Sequence, residues 1–596
     1  MDQDSEQKRL NRKWLHWLLP LALGLTAALL AVFPLHNDDA GFHIATGRWV
    51  LAFGKPPSFN PFSWYGDGAT WIQHQWLPAA GMAWLVDRGG MAALVLAKAA
   101  LVGLAYFVGM FAALRAGMPP TWAALLGSTA VAAAAFRFLE RPMWVSGLLL
   151  AVLTGLWALQ QRGPPRKWLQ MLLIILPALA LQLHAGGLDG LLVWGALAGG
   201  SLLNLRWNRP NALAPKPTVL GALAAGVLAL LGLLLLAPAG LQVLRLPLEF
   251  SGNAYWNQHL AEFRPLDLSL EMAPAWLLVA LAIGLGAVGV KQRQFGSALI
   301  LLGFSALALK HVRMVMPLSL VVLPAAAPIA GALPELPKPL KGLLGVLAAV
   351  VLLAGAWLQV ERFGWGLGQD GVDHRRHPIE LIDLARKMPT RAFVSDGIAG
   401  TYLWRNFKVP AAPLPLSPQT PGLVLVHNCL ECYKPETYIN EYQQLRYGPA
   451  DWRQRIDRLG IATLLLKYTT PGERRLQSGA ANLRQLVFNS GEFALIDFDD
   501  AAELLVLRSK LAPGIPQLPD LAVDPDSGRL VPGRDQAATL AVLQRHAQQH
   551  PQQLRALWLM AAIARQTQQP DLLSRVRAEM QRRQPEAAET AAAMGW

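Results

Sequence analysis

Residues 8–34, KRLNRKWLHWLLPLALGLTAALLAVFP, place four basic side chains before a long apolar run without acidic residues. An apolar run of about 18 residues or more can cross the hydrocarbon core of a bilayer, which is roughly 30 Å thick. A basic flank is also typical of a signal peptide, but no small-residue cleavage pattern follows Pro34. We therefore expect a retained first membrane span that begins in the cytoplasm.

Ten further apolar runs follow, which predicts a polytopic α-helical membrane protein with about eleven spans. Basic residues concentrate in the loops at 160–168, 204–217, 291–294 and 334–342, which all face the cytoplasm if this count is right. An odd number of spans places the chain after residue 360 outside, in the periplasm of a bacterium. The ten runs are residues 90–114, 121–136, 142–159, 168–184, 188–203, 219–237, 274–290, 296–309, 314–332 and 343–360.

The composition agrees with a membrane protein. The 596 residues include 53 basic and 39 acidic side chains, a net charge of +14, and 53% are hydrophobic. About 28 of the basic and 25 of the acidic residues lie after residue 360, so the first 360 residues are poor in charge. Because lysine and arginine accumulate in cytoplasmic loops, this excess does not indicate nucleic-acid binding. Two cysteines are too few for a disulfide framework.

Four regions follow from these patterns. Residues 1–360 form the membrane domain with a first outer loop at 35–88, and residues 361–510 alternate short β-rich runs with amphipathic stretches, which predicts an α/β domain. Residues 511–534 are a Pro-rich linker. Residues 535–596 are rich in Ala, Gln and Arg and resemble one or two tetratricopeptide-type helix pairs, which suggests an envelope protein as a partner.

Ionisable residues gather at the predicted outer ends of the spans. Because polar groups near the membrane are costly to desolvate unless they pair or line a wet cavity, this set predicts a shared cavity. Arginines can bind a phosphate while a carboxylate accepts a proton from a hydroxyl. Snorkelling residues or local ion pairs such as Glu140 with Arg141 remain the alternative. The set comprises Asp38, Asp39, His43, Arg137, Glu140, Arg141, His184, Asp189, Glu262, Arg264, Lys310, His311 and Arg313.

The first outer loop carries a family resemblance. It reads HNDDAGFHIATGRWVLAFGKPPSFNPFSWYGDGATWIQHQWL over residues 36–77, and the likeness continues through Arg141 and Pro142, His184 and Gly187, Glu262, His311, Arg313 and Pro317. This pattern resembles the GT-C membrane glycosyltransferases, which include protein mannosyltransferases and aminoarabinose transferases that use polyprenyl-phosphate sugars. The matching loop positions are Asp39, His43, Gly47, Trp49, Gly54, Pro57, Pro61, Phe62 and Ser63.

The sequence departs from this family at three places. Asn60 stands where relatives often have Asp, and Gln75 stands where a Glu commonly precedes Trp-Leu. In the predicted outer domain, His427 and Asn428 occupy the place of an Asp-x-Arg motif.

The resemblance implies an inner-membrane enzyme that transfers a hexose or pentose from a polyprenyl-phosphate donor to a glycolipid, glycan or protein, with inversion at the anomeric carbon. It implies that Asp39, with its neighbour Asp38, acts as base or as ligand of a divalent ion such as Mg²⁺ or Mn²⁺. By position, Arg141, His311, Arg313 and Arg137 would bind the donor phosphate. His43, His184, Glu262 and Arg264 would line the substrate site.

Other interpretations of single residues stay open. Asp38 and Asp39 could cap a helix that begins near Ala40, and His43 and His184 could be structural. Cys429 and Cys432 favour a short local disulfide over a redox or zinc site in an oxidising compartment.

Two other classes of protein remain open as well. A lipid or solute transporter would place its charges along a path, and its helices would show internal repeats. A non-catalytic envelope scaffold derived from a transferase fits the missing acidic residues at positions 60 and 75.

Overall fold

The structure is a computed structural model. It describes residues 3–66, 70–161, 166–206, 215–247, 249, 260–389, 391–413, 416–429, 432–434, 436–469 and 482–584. Parts of the predicted loops at 160–168 and 204–217, and the predicted tail after residue 584, lie outside these residues.

The chain divides into two compact units that do not follow sequence order. The first unit comprises Met1–Asn37, Gly54–Pro56 and Ile72–Val372, and the second comprises Asp38–Phe53, Pro57–Trp71 and Asp373–Trp596. Most of the predicted first outer loop therefore packs with the C-terminal region rather than with the spans that flank it.

Long apolar helices build the first unit. The chain begins with α1 (Gln3–Leu30) and α2 (Asp39–Phe53), of which α2 belongs to the second unit. The remaining helices of the first unit are α3 (Trp76–Arg115), α4 (Pro120–Ala134), α5 (Met143–Gln160), α6 (Lys167–Leu183), α7 (Leu188–Arg206), α8 (Pro215–Leu235), α9 (Ala273–Lys291), α10 (Phe295–Lys310), α11 (Val315–Ala330) and α12 (Lys338–Phe363).

Within the described residues, seven helical segments are long and apolar enough to cross a membrane, and three shorter apolar helices accompany them. The expected class, a polytopic helical membrane protein, is confirmed, whereas the count of eleven spans stays a prediction. The seven segments are Trp76–Arg115, Met143–Gln160, Ala185–Arg206, Thr218–Leu235, Leu270–Lys291, Val312–Ala330 and Lys338–Phe363.

The burial of these helices separates a core helix from peripheral ones. Almost every residue of α11 is buried, so this helix runs through the interior of the first unit. Large apolar side chains remain exposed on α8 and α12, where Leu235 is 78% and Leu353 69% exposed. Such surfaces suit contact with lipid tails, which are as apolar as leucine.

Small residues allow a close contact between two helices of this unit. A Cβ atom on Gly24 of α1 would lie 2.8 Å from the carbonyl oxygen of Gly103 on α3, and one on Gly103 would lie 2.7 Å from that of Gly24. Because no side chain separates them, the two backbones approach directly, as small residues permit in membrane helices.

A four-stranded sheet forms the core of the second unit. Its strands are β1 (Ala392–Val394), β2 (Thr463–Lys467), β3 (Phe493–Phe498) and β4 (Ala502–Leu507), arranged in the order β1-β2-β4-β3. β1 runs parallel to β2, and the other pairs are antiparallel. The α/β character expected from the sequence is present here.

Short helices surround the sheet. They are α13 (Ile379–Ala385), α14 (Asp396–Asn406), a π-helix at Thr437–Gln443 that continues into α15 (Gln444–Arg446), α16 (Trp452–Leu459) and α17 (Leu483–Ser490). The β-rich run at residues 423–427 does not become a strand. Val424 instead makes isolated bridges to Ser63 and to Ala392, because it lies between the first-loop segment and β1.

Three helices end the described chain: α18 (Gln536–Gln549), α19 (Arg555–Gln566) and α20 (Pro570–Arg583). The likeness of this tail to tetratricopeptide repeats stays a prediction. The preceding Pro-rich segment packs within the second unit, since Leu521, Ala522 and Val523 are fully buried.

Candidate functional site

Two arginine side chains form ion pairs with Glu262 in the first unit. Arg137 contacts Glu262 through both terminal nitrogens, at 3.2 and 3.4 Å, and Arg141 forms a second ion pair with the same carboxylate. Arg313 adds a third positive charge close to Glu262. The sequence predicted all four residues as donor- or substrate-binding residues, and the structure brings them together.

The loop that carries Glu262 is fixed to the junction of α10 and α11. Leu266 donates a backbone hydrogen bond to the Leu309 carbonyl, and Val312 donates one to the carbonyl of Arg264, whose side chain is exposed. His311 places Nδ1 2.8 Å from the Phe263 carbonyl oxygen. Arg313 stacks on the Phe263 ring at 4.7 Å. These contacts give the short loop a defined position for its carboxylate.

The cluster has a surplus of positive charge. Burial would raise the pKa of Glu262, but the charges of Arg137, Arg141 and Arg313 outweigh it and hold this pKa well below its usual range. Glu262 is therefore an anion. Arg137 is buried, and its Nε has no hydrogen-bond partner among the described residues. A buried guanidinium donor without an acceptor suits an anionic ligand.

A second group of polar residues lies near Arg313. Asp189 at the start of α7 and His74 both interact electrostatically with Arg313. The His74 ring lies 5.3 Å from that of His184, and its Nε2 lies 2.7 Å from the side-chain nitrogen of Gln75. His184 accepts a hydrogen bond from the backbone of Gly186, so it also caps the turn before α7. His74 was not selected from the sequence, although it adjoins Gln75 in the QHQWL segment.

Glu140 has a different partner from the one suggested by sequence proximity. It forms a fully buried ion pair with Lys98 of α3 at 2.5 Å rather than with Arg141. Its second oxygen lies 3.4 Å from the backbone nitrogen of His36. Lys98 lies inside an apolar span, and the sequence alone does not reveal which acidic residue pairs with it.

In the second unit, Asp38 is a buried hydrogen-bond acceptor. One carboxylate oxygen accepts from the backbone nitrogen and the hydroxyl of Thr401, at 2.8 and 2.7 Å. The other accepts from the Gly400 nitrogen at 2.7 Å and the Asn428 amide at 3.1 Å. Burial raises the pKa of Asp38 to about 6, although the hydrogen bonds from Thr401 and Gly400 lower it. The carboxylate thus joins α2 to α14.

This junction depends on a close approach of two backbones. A Cβ atom on Gly41 would lie 2.0 Å from the Gly400 carbonyl oxygen, and one on Gly400 would lie equally close to the Asp38 carbonyl oxygen. Only glycine at both positions leaves room for α2 to meet α14. The next residue, Asp39, begins α2 and is half-buried, and His43 lies one turn later with its ring against Phe42.

Two of the residues at the family departures, Asn60 and His427, contact each other. His427 is buried, which lowers its pKa to about 3 and keeps the ring neutral. Its Nε2 lies 3.3 Å from the Asn60 side-chain oxygen, and its Nδ1 accepts from the Cys429 nitrogen at 3.2 Å. Cys429 and Cys432 form a disulfide. These replacements therefore form a local neutral network, joined to Asp38 through Asn428.

Comparison with known proteins adds evidence on the fold. The sequence matches no protein-family model and no curated protein. A solved structure of the oligosaccharyltransferase AglB from Archaeoglobus fulgidus, in complex with an inhibitory peptide and a dolichol-phosphate, aligns with a TM-score of 0.54 at 10% identity. The alignment covers 84% of this chain and 75% of the AglB chain.

ArnT from Cupriavidus metallidurans bound to undecaprenyl phosphate aligns with a TM-score of 0.44 at 14% identity, over 83% of this chain and 99% of that one. The AglB alignment, with its TM-score above 0.5, shows a shared fold. The GT-C resemblance inferred from the sequence is confirmed at the level of the fold.

Proposed function

We propose that this protein is a bacterial inner-membrane glycosyltransferase that moves a sugar from a polyprenyl-phosphate donor to a periplasmic glycolipid, glycan or protein. The arginine cluster around Glu262 is the observation that carries this proposal. It is a surplus of positive charge around one carboxylate, with Arg137 buried, in a chain with the fold of a glycosyltransferase that was solved with a dolichol-phosphate.

The cluster suits the phosphate of the donor. During transfer, the bond between the anomeric carbon and the phosphate oxygen breaks, and the lipid phosphate leaves with an added negative charge. Arg137, Arg141 and Arg313 stabilise that charge, and hydrogen bonds to charged groups contribute about 1.5–3 kcal/mol each. Nε of Arg137 has no hydrogen-bond partner among the described residues, which suits binding of a phosphate oxygen in addition to Glu262.

On the acceptor side, Asp39 takes the proton of the attacking hydroxyl or binds a divalent ion that activates it. Asp38 is less suited to either role, because four hydrogen bonds already occupy its two oxygens. His43, His184 and Arg264 complete the proposed substrate contacts. As the acceptor oxygen bonds to the anomeric carbon from the face opposite the phosphate, the configuration inverts.

The test is the surface-glycan profile, by mass spectrometry, of a bacterial strain that lacks this protein. We expect a sugar to disappear and wild-type protein to restore it. Arg137→Gln should restore about 10–100-fold less at matched membrane levels, since it loses one or two charged hydrogen bonds. Arg115→Gln, which neutralises an exposed arginine at the end of α3, should restore the glycan fully.

Two results would contradict the proposal in different ways. If deletion changes no glycan, transport or an envelope scaffold becomes the better explanation. If Arg137→Gln restores the glycan as well as wild type does, the phosphate is not bound by this cluster.

A further inference from the structure

Two histidines and an aspartate come together in the second unit, remote in sequence from every residue assigned above. His546 lies in the last turn of α18, His550 is the residue directly after that helix, and Asp497 lies on β3. One ring nitrogen from each histidine and one carboxylate oxygen of Asp497 lie within 4.8 Å of one another. The rings of His546 and His550 lie side by side at the end of this helix, with centroids 4.6 Å apart.

The distances are close to those of a coordination sphere. His546 Nε2 lies 3.2 Å from the Asp497 oxygen. Bonds of about 2.0–2.2 Å at a tetrahedral zinc ion separate neighbouring ligand atoms by roughly 3.4 Å. Small side-chain rotations therefore suffice to bring all three ligand atoms around one ion.

One ring nitrogen of His546 lacks a hydrogen-bond partner among the described residues. The side chain is only 5% exposed and stacks on Phe498 and on His550, with ring centroids at 4.2 and 4.6 Å. Although Nε2 faces Asp497, Nδ1 has no hydrogen-bond partner among the described residues. Buried polar atoms usually have a hydrogen-bond partner, so the described residues supply fewer partners than this ring can use.

The strand that carries Asp497 is irregular directly before this residue. The register of β3 against β4 shifts between Leu495 and Asp497, which is a β-bulge directly before the aspartate. A bulge reorients the side chain that follows it, and bulges are common beside functional sites. Here the carboxylate contacts α18 and lies beside the two histidines.

A carboxylate partner for His550 completes the arrangement. Glu380, in the first turn of α13, places an oxygen 3.4 Å from His550 Nδ1. A histidine that binds a metal usually donates its other N–H to such a carboxylate, which orients the ring. Glu380 would therefore hold His550 with Nε2 available for the ion.

We propose that Asp497, His546 and His550 bind a divalent transition-metal ion of the zinc type, which fastens α18 to the sheet. Three protein ligands leave one coordination position for water. The ion is separate from the transferase chemistry, and its role is to keep the helical tail docked within the second unit.

The test uses full-length protein purified in detergent with a histidine-free affinity tag, stripped with EDTA and dialysed against zinc chloride. We expect about one zinc ion per chain by mass spectrometry. His550→Gln and Asp497→Asn should lose it, and Glu380→Gln should bind about 10–100-fold more weakly. His374→Gln, which removes an exposed histidine outside the cluster, should bind like wild type.

Hydrogen exchange of residues 536–549 gives a second readout. Zinc should slow exchange there in wild type and leave it unchanged in His550→Gln. Because His550 is 28% exposed, this variant should fold, and circular dichroism of the metal-free proteins verifies that it does. Absence of zinc from wild type, or equal zinc in wild type and His550→Gln, would overturn the proposal.

Discussion

Replacing Asp39 with asparagine should reduce glycan transfer by about 10²–10⁴-fold, the contribution typical of a general base. The fold should tolerate the change, because Asp39 is half-buried at the first position of α2, where asparagine is an equally good residue. Transfer should be measured in membranes with matched protein levels, and the melting temperature of the purified protein should stay close to that of wild type.

Asp38→Asn is the matched control, since it makes the same chemical change one residue earlier. Its new NH₂ group must face a hydrogen-bond donor, because the Asp38 oxygens accept from Gly400, Thr401 and Asn428. One unsatisfied buried donor costs about 1–3 kcal/mol, so this variant should melt earlier. Full activity of Asp39→Asn would show that Asp39 is not the base, and equal loss of stability in both variants would show that Asp39 is structural, as Asp38 is.

Replacing Arg484 with methionine should destabilise the second unit by about 3–5 kcal/mol. Arg484 on α17 is 4% exposed and pairs with Glu503 at 3.0 Å, with Asp524, and with Asp526 at 3.5 Å. Removing the cation leaves three carboxylates together in the interior. Protease resistance of the second unit, followed against temperature, measures the effect.

The stability lost in Arg484→Met should depend on pH. Burial already raises the pKa of Glu503 to about 7, and without Arg484 the carboxylates would hold protons more tightly than in the unfolded chain. Protonation then favours the folded state, so the variant should regain stability at low pH and lose it as pH rises above the usual range of a carboxyl pKa.

Arg453→Met is the control for this second prediction, because it removes a partly exposed arginine that pairs with Asp457 and Glu492. Surface ion pairs contribute about 0–1 kcal/mol, so little change is expected. An equal loss of stability in Arg484→Met and Arg453→Met would show that the buried ion pairs of Arg484 contribute no more than surface ion pairs do.

Hydropathy predicted the helices of the first unit well, because a span must be apolar over its full length and the signal is local. Each of the eleven predicted spans coincides with a helix of the structure. Their boundaries were less predictable. The run that begins at Gly90 is preceded by a further helical stretch from Trp76, and the two meet at a kink where Gly90 has a positive φ of 68°.

The sequence predicted the residues of the arginine cluster because they stand out as charges in an apolar context. It could not predict which pairs form, so Lys98 with Glu140 and Arg484 with its three carboxylates were missed. Contacts between residues 19 to 42 positions apart in sequence leave no local pattern. For the same reason, the sequence could not predict the hydrogen bonds of Asp38. These hydrogen bonds, which only the structure shows, distinguish the role of Asp38 from that of Asp39.

The hydrogen bonds of Asp38 also constrain how the protein is made. Its partners Gly400 and Asn428 follow it by 362 and 390 residues. At a synthesis rate of about 5–20 residues per second, the segment that contains α2 must wait about 20–80 s before its partners leave the ribosome. During that time every later span is inserted, while Asp38 still lacks its hydrogen-bond partners Gly400 and Asn428. Any truncation before Asn428 therefore leaves a defect near the beginning of the chain, far from the cut in sequence.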